Sequence, residues 1–350
     1  MKVSIIIPCY KAEKYISDII NDVLSQTFTD YELIIVSNGE GREAQEDVIH
    51  SFVDRFPNRN IRILSSEVGS VSKARNLGID SAQGDYIAFL DADDRIGVDY
   101  LKILTDAISA PPAEIVVGGY IQHYIKDNIT QEWKIEETSS VPADCFFKLG
   151  WNLMAPPYAK LYKRSLLLES NVRFSDEFTY NEDGIFNLQL IHSGVRNIQF
   201  VKQTGYQYIC RDTDSAVSKF HYNFRKSWEI RTQLLLELYK QQHTKELVED
   251  IKTGYTYIIA YESLQNIFKP GNPFSFKEKV KEVKNLLWDD ETIRMVLLNA
   301  PNNDKSLYRL FNKIYSINSP FFLTTVYFMM HFLRHKFDFL YYKVRTKLWK

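Results

Sequence analysis

Cysteine is scarce in this chain of 350 residues: Cys9, Cys145 and Cys210 are the only three, and no two share a CxxC spacing. That excludes a disulfide framework and a cysteine-built zinc site, and it fits a reducing cytoplasm. An excess of one charge is missing too. Lys and Arg number 43 against 44 Asp and Glu, for a net charge of −1. Bulk electrostatics therefore gives no basis for nucleic-acid binding. No apolar stretch reaches the roughly 20 residues of a bilayer span. The apolar start, Met1–Pro8, is too short for a signal peptide and runs into a polar helical pattern. Internal repeats and low-complexity tracts are also absent.

What is present is a globular composition, 45% hydrophobic and 25% charged, rich in aromatics with 22 Tyr, 22 Phe and 5 Trp. The length asks for one large α/β domain with an extension, or for two domains. Val3–Ile7 is a β-branched run that reads as a buried parallel strand. Ala12–Gln26 follows with Ile16, Ile19, Ile20, Val23 and Leu24 at helical spacing. Strands at Tyr31–Val36, Ile61–Leu64, Asp85–Leu90 and Glu114–Val117 alternate with helices at Glu43–Phe56, Val71–Ser81 and Val98–Ser109. This βαβ repetition predicts a doubly wound, mostly parallel sheet. Tyr120–Ile125 and Thr130–Ile135, with a turn at Lys126–Asn128, predict a small antiparallel insertion. Beyond Asn223 almost everything reads as helix. The expected division is residues 1–220 and a helical region 221–350, with the boundary near Ser218–Asn223.

Ligands of doubly wound sheets bind beyond the carboxyl ends of the strands. Pro8-Cys9-Tyr10, Ser37-Asn38-Gly39, Ser65–Gly69 and Asp91–Asp94 all fall there. Asp91-Ala92-Asp93-Asp94 places three carboxylates at the tip of an apolar strand. Such groups need a cation, a basic partner or open water. Oxygen-only sets suit Mg²⁺ or Mn²⁺, whose other positions substrate phosphates can fill. An acidic turn capping the next helix is the plain alternative. A divalent ion at Asp93 would neutralise a diphosphate leaving group. Arg75, between Lys73 and Asn76, could add a cation or remain an ordinary exposed helix arginine. Glu182-Asp183 could supply a general base for a hydroxyl, or cap the helix Ile185–His192. Arg211 and Ser215 could hold a phosphate or simply end a strand. Gly39-Glu40-Gly41-Arg42-Glu43-Ala44 formally matches a dinucleotide fingerprint, but it follows the second strand and puts Glu40 in the pyrophosphate turn.

Five segments then carry a resemblance in order: Val3–Glu13, Tyr31–Val36, Ala74-Arg75-Asn76-Leu77-Gly78, Phe89–Asp94 and Asn181-Glu182-Asp183. Over about residues 1–218 the chain resembles the family-2 inverting glycosyltransferases of GT-A fold. The resemblance implies a nucleotide-sugar donor, a UDP-sugar first, with Pro8, Tyr10, Asn38, Arg75 and Asp91 around the nucleoside. It implies Asp93 as the metal-facing acid, Mn²⁺ or Mg²⁺ as cofactor, and Asp183 as the base beside Glu182. Lys160 matches a recurrent family segment without an assigned role. Ser37-Asn38-Gly39-Glu40 departs from the family's Asp-Asp-Gly-Ser: Asn38 replaces a nucleobase-reading aspartate. An amide both donates and accepts, which leaves cytosine or another base open beside uracil.

The C-terminal part adds Pro320–Leu333, apolar but short for a span, and Arg334–Lys350, whose six Lys and Arg face one Asp. Basic residues mixed with aromatics suit an interfacial helix on an anionic membrane, or a packed helix with a solvated basic face. The expected function is sugar transfer to a glycan or lipid-linked acceptor in surface polysaccharide synthesis, at the inner face of the cell membrane. A homo-oligomer stays open. The rivals are a dinucleotide-dependent oxidoreductase and a non-catalytic scaffold of the same fold.

Overall fold

The computed structural model of the chain describes residues 1–108, 112–136, 139–142, 151–211, 219–241, 243–299 and 306–336. The chain divides into two compact units, Met1–Ser215 and Ala216–Lys350.

The first unit is built on a ten-stranded sheet. Its first elements are β1 (Val3–Cys9), α1 (Ile16–Leu24), β2 (Tyr31–Asn38), α2 (Glu43–Arg55), β3 (Ile61–Ser66), α3 (Val71–Ser81) and β4 (Tyr86–Phe89). Every residue of β1 and β2 is buried, as a strand covered on both faces requires. β1 runs parallel to β2 and β4, and β2 parallel to β3. α1 turns Ile16, Ile19, Ile20 and Val23 into the core on one stripe. Ser70 caps α3 by accepting from the Lys73 amide.

Then follow β5 (Arg95–Ile96), α4 (Tyr100–Asp106), β6 (Ile115–Tyr124), β7 (Ile129–Trp133), β8 (Ser139–Pro142), α5 (Trp151–Met154), β9 (Lys160–Lys163), α6 (Arg164–Glu169), α7 (Glu182–His192) and β10 (Asn197–Cys210). The sheet order is β3-β2-β1-β4-β9-β6-β10-β5, with β7 on β6 and β8 on β10. β9 is antiparallel to both β4 and β6, whereas β10 runs parallel to β6. The short strand expected at Glu114–Val117 continues to Tyr124. Its outer half therefore belongs to the sheet itself and pairs with β7 antiparallel. β6 passes through Gly118 and Gly119 without a break. The approach there is close: a side-chain carbon on Gly119 would lie 2.6 Å from the Thr204 methyl.

The second unit is helical among its described residues: α8 (Phe224–Lys240), α9 (Lys245–Ile267), α10 (Phe276–Lys284), α11 (Glu291–Asn299), α12 (Ser306–Tyr315) and α13 (Pro320–Lys336). Leu264, Phe268, Leu287, Phe311 and Leu323 lie in its own core.

Candidate active site

Asp91–Asp94 form a tight turn beyond β4, closed by the Asp94 amide donating to the Asp91 carbonyl at 3.2 Å. The three carboxylates have three different settings. Asp94 is buried. It accepts from the Tyr206 hydroxyl at 2.5 Å and from the Ile209 amide at 2.8 Å. Burial, then the charges of Asp91 and Asp93, push its carboxyl well above the ordinary range. Asp94 thus ties the turn to β10. Asp93 is half-exposed. Burial and Asp91 raise its pKa, and the Arg211 guanidinium pulls it back. Arg211 Nη1 sits 3.2 Å from the Asp93 carboxylate and 2.5 Å from its carbonyl. The same guanidinium lies 4.2 Å above the Tyr15 ring.

Asp91 faces the other way, toward Arg75 on α3. Arg75 is no exposed helix arginine: its side chain is 5% accessible. Its Nη2 donates to Asp91 Oδ1 at 2.9 Å, and its Nη1 lies 3.5 Å from Glu182 Oε1. One buried cation therefore joins the acidic turn to the acidic start of α7, sequence neighbours of neither. Burial alone would favour a neutral arginine. Asp91, Glu182 and Asp183 reverse that and hold it charged. Phe174 lies beneath the guanidinium at 5.1 Å and stacks on Phe186 at 3.8 Å.

The segment before α7 is fixed by α3. Asn76 exchanges two bonds with the Phe174 backbone, at 2.8 and 2.9 Å. Ser72 donates to the Ser175 carbonyl at 2.8 Å, and Lys73 pairs with Asp176 at 2.9 Å. Burial, then Asp183, pushes Glu182 up to about 7. Burial also raises Asp183, against Arg75 and the Gly184 amide, which donates to its Oδ1 at 2.7 Å. A carboxylate raised in this way is a better proton acceptor at neutral pH than an ordinary aspartate.

Beside these acids lie the ends of β1 and β2. Pro8 pairs in register with Val36. Asn38 is buried, and its Nδ2 donates to the Cys9 carbonyl at 2.9 Å and the Val36 carbonyl at 3.4 Å. Two carbonyls fix which end of the amide faces them. Its Oδ1 is left buried with no hydrogen-bond partner, an acceptor awaiting a donor. Gln45 braces the same corner, donating to the Cys9 carbonyl at 3.0 Å and to Ser37 Oγ at 2.9 Å. The Tyr10 ring is half-exposed and covers Gly39 and Gly69. Gly39 has φ +87°, and a side-chain carbon there would lie 2.5 Å from that ring. Tyr10 thus occupies the Gly39 end of the Gly39–Ala44 turn, while Gly41 faces open space.

Lys160, unassigned by sequence, is buried in β9. Its ammonium donates to the carbonyls of Leu153 and Pro156 at 2.6 Å each and points to Tyr158 at 3.4 Å. Asn187 of α7 donates to the Ala155 carbonyl at 2.8 Å and the Asp183 carbonyl at 3.1 Å. The turn 153–158 is therefore clamped between β9 and the helix that carries Asp183. Burial pushes Lys160 down to about 7, with Asp183 acting in the opposite sense.

The structure brings together Arg75, Asp91, Glu182 and Asp183, pairs Asp93 with Arg211, and sets Pro8, Tyr10 and Asn38 at adjoining strand ends. Ser215 lies outside the described residues. Sequence reading missed Tyr206, Phe174, Gln45 and Asp176. Among the described residues no three or more His, Cys, Asp or Glu converge as a ready-made metal cage. Of the three carboxylates in this turn, Asp93 is the half-exposed one, and it meets Arg211 through a single guanidinium nitrogen. That suits a hard cation taking one or two carboxylates and completing its shell from phosphates.

The chain is similar in sequence and fold to known glycosyltransferases. Residues 4–170 match Glycosyl transferase family 2. The uncharacterized glycosyltransferase EpsJ of Bacillus subtilis (strain 168) is 25% identical over 325 residues, covering 88% of this chain and 89% of EpsJ. The poly(ribitol-phosphate) beta-N-acetylglucosaminyltransferase TarS of Staphylococcus aureus (strain Mu50 / ATCC 700699) is 23% identical over 299 residues, 81% of this chain. The chain spans about half of TarS, 47% of its length. The crystal structure of S. aureus TarS 1-349 with UDP-GlcNAc superposes with a TM-score of 0.63 at 19% identity, covering 96% of this chain and 92% of that one. That likeness shows a shared GT-A fold.

Proposed function

Because the chain is a glycosyltransferase of family 2, we propose that it moves a sugar from a UDP-sugar to a hydroxyl of a surface glycan or lipid-linked acceptor, with inversion. The observation that carries this reading is the Arg75 bridge between Asp91 and Glu182. It supports a reading in which a proton acceptor and a cluster suited to a diphosphate share one site. Asp183 takes the proton from the acceptor hydroxyl as the oxygen attacks the anomeric carbon. The bond from that carbon to the diphosphate oxygen breaks, and UDP leaves with the electron pair. Attack from the face opposite the leaving group inverts the centre in one displacement.

Asn38 supports uracil. Its donors are spent on the Cys9 and Val36 carbonyls, so it offers a base only the Oδ1 acceptor. The uracil ring N–H supplies the missing donor, whereas cytosine presents a lone pair at that ring position. Asn38 therefore acts as the aspartate it replaces. Asp93, with Asp91 behind it, would hold Mn²⁺ or Mg²⁺. When bound, the ion supplies positive charge to the departing diphosphate. Arg211, which meets Asp93, would contribute a cation to the same phosphates. The name of TarS, which records sugar transfer to poly(ribitol-phosphate), supports a polymer acceptor.

The test is a donor panel of UDP-, GDP-, dTDP- and CMP-sugars, scored by nucleotide release with and without Mn²⁺. Product configuration is read by NMR. Mn²⁺-dependent release of UDP, and a product of configuration opposite to the donor, are expected. Retention of configuration, or use of GDP-sugars alone, overturns the assignment.

A further inference from the structure

α13 is packed on one side. Leu323, Thr324 and Tyr327 are buried, and Leu323 and Tyr327 join the core of the second unit. Phe321, Phe322, Phe328 and Met329 are instead 62%, 43%, 43% and 57% accessible. They form two pairs seven residues apart, which a helix places on one flank. Phe321 and Phe328 meet Phe276 of α10 edge-on, at 5.7 and 5.5 Å, so the row is held in place yet still faces outward. A contiguous row of exposed apolar side chains marks contact with something apolar. The sequence that follows concentrates positive charge: residues 334–350 hold six Lys and Arg and one Asp, interleaved with aromatics, in a chain of net charge −1.

We propose that α13 and the basic segment after it dock on an anionic lipid bilayer, with α13 lying in the plane of the surface. Its aromatic flank enters the boundary between headgroups and acyl chains, and the cations meet lipid phosphates. Charge complementarity selects this occupant. A second copy of the chain would bring the same cations to a two-fold interface, where they repel, whereas a bilayer offers anions directly above an apolar layer. The opposite flank of α13 is committed to the protein core, so the helix rests on the membrane and does not cross it.

The full chain is mixed with vesicles of phosphatidylcholine alone, or of phosphatidylcholine with phosphatidylglycerol, and sedimented. Binding to the anionic vesicles, weakening as salt is raised, is expected. Phe322→Ser with Met329→Ser removes apolar contacts and should weaken binding on the order of tenfold. Lys343→Ala, Arg345→Ala and Lys347→Ala together should weaken it by about fivefold per charge removed. Circular dichroism of both variants should match the wild type. Vesicle binding is scored without turnover, so it stands apart from the sugar-transfer reading. Equal binding to neutral and anionic vesicles overturns the proposal, as does binding untouched by either variant. So does a wild-type dimer that the Phe322 and Met329 changes dissociate while no vesicle binds.

Discussion

Arg75 keeps its charge inside the protein because Asp91, Glu182 and Asp183 surround it. Removing one partner of a buried ionic group leaves the others uncompensated, at a cost of about 3–5 kcal/mol. Arg75→Met should lower the unfolding free energy measured by urea denaturation by that much, moving the midpoint down, and abolish sugar transfer. An unchanged midpoint would remove Arg75 from its central place. Glu182 predicts a pH dependence. Its pKa is raised in the fold from its ordinary 4.5 to about 7. Between those values the folded state binds more protons than the unfolded state, so this group's contribution to stability declines as pH rises. Glu182→Gln should flatten the stability curve across that window, measured by urea midpoints at a series of pH values. At this scale Asp91–Asp94 were legible because they end a strand, and Glu182-Asp183 because they open an apolar helix, whereas the burial of Arg75 in α3 was not. Tyr206 and Phe174 were not. An aromatic in a strand or connecting segment reads as core, and Tyr206 lies 112 residues from the Asp94 it holds.

The turn between β2 and α2 has its own test. Gly39 and Gly41 both have positive φ, at +87° and +69°, but only Gly39 faces the Tyr10 ring. Gly41→Ala should cost about 1–2 kcal/mol, the left-handed penalty for a residue with a side chain. Gly39→Ala should cost more than that and also raise the donor KM, since Tyr10 must move. Thermal denaturation and donor saturation curves separate the two. Equal effects at both glycines would detach Tyr10 from donor binding. The clamp on the turn 153–158 predicts that Lys160→Met lowers kcat, with donor KM changing less, because it loosens the support of Asp183 and not the nucleoside corner. The element pattern was largely readable: β1, β2, β4 and their helices followed from periodicity. Helix ends came out shorter than expected, Ile16–Leu24 within the predicted Ala12–Gln26. The continuation of β6 past Val117 was not legible, because the close approach of Gly119 to Thr204 leaves no local signature.

Across the whole molecule, each of the two units has its own apolar core. Calorimetry should resolve two transitions, and UDP with Mn²⁺ should raise only the one belonging to Met1–Ser215, since a ligand stabilises the unit that binds it. A single transition shifted as a whole would mean that the units unfold together. The opposed basic and apolar pattern of the C-terminal part was visible in sequence. That α13 commits one flank to a core and leaves the other exposed was not, because residues 320–333 are apolar nearly all round. In the proposed reaction the site joined by Arg75 uses Asp183 to activate an acceptor hydroxyl against a UDP-sugar. Its most direct test is Mn²⁺-supported transfer by wild type and Asp183→Asn, scored together with UDP binding. Transfer should fall by about 10²–10⁴-fold, the share of a lost general base, while UDP binds as in the wild type. Wild-type turnover by Asp183→Asn would contradict the account.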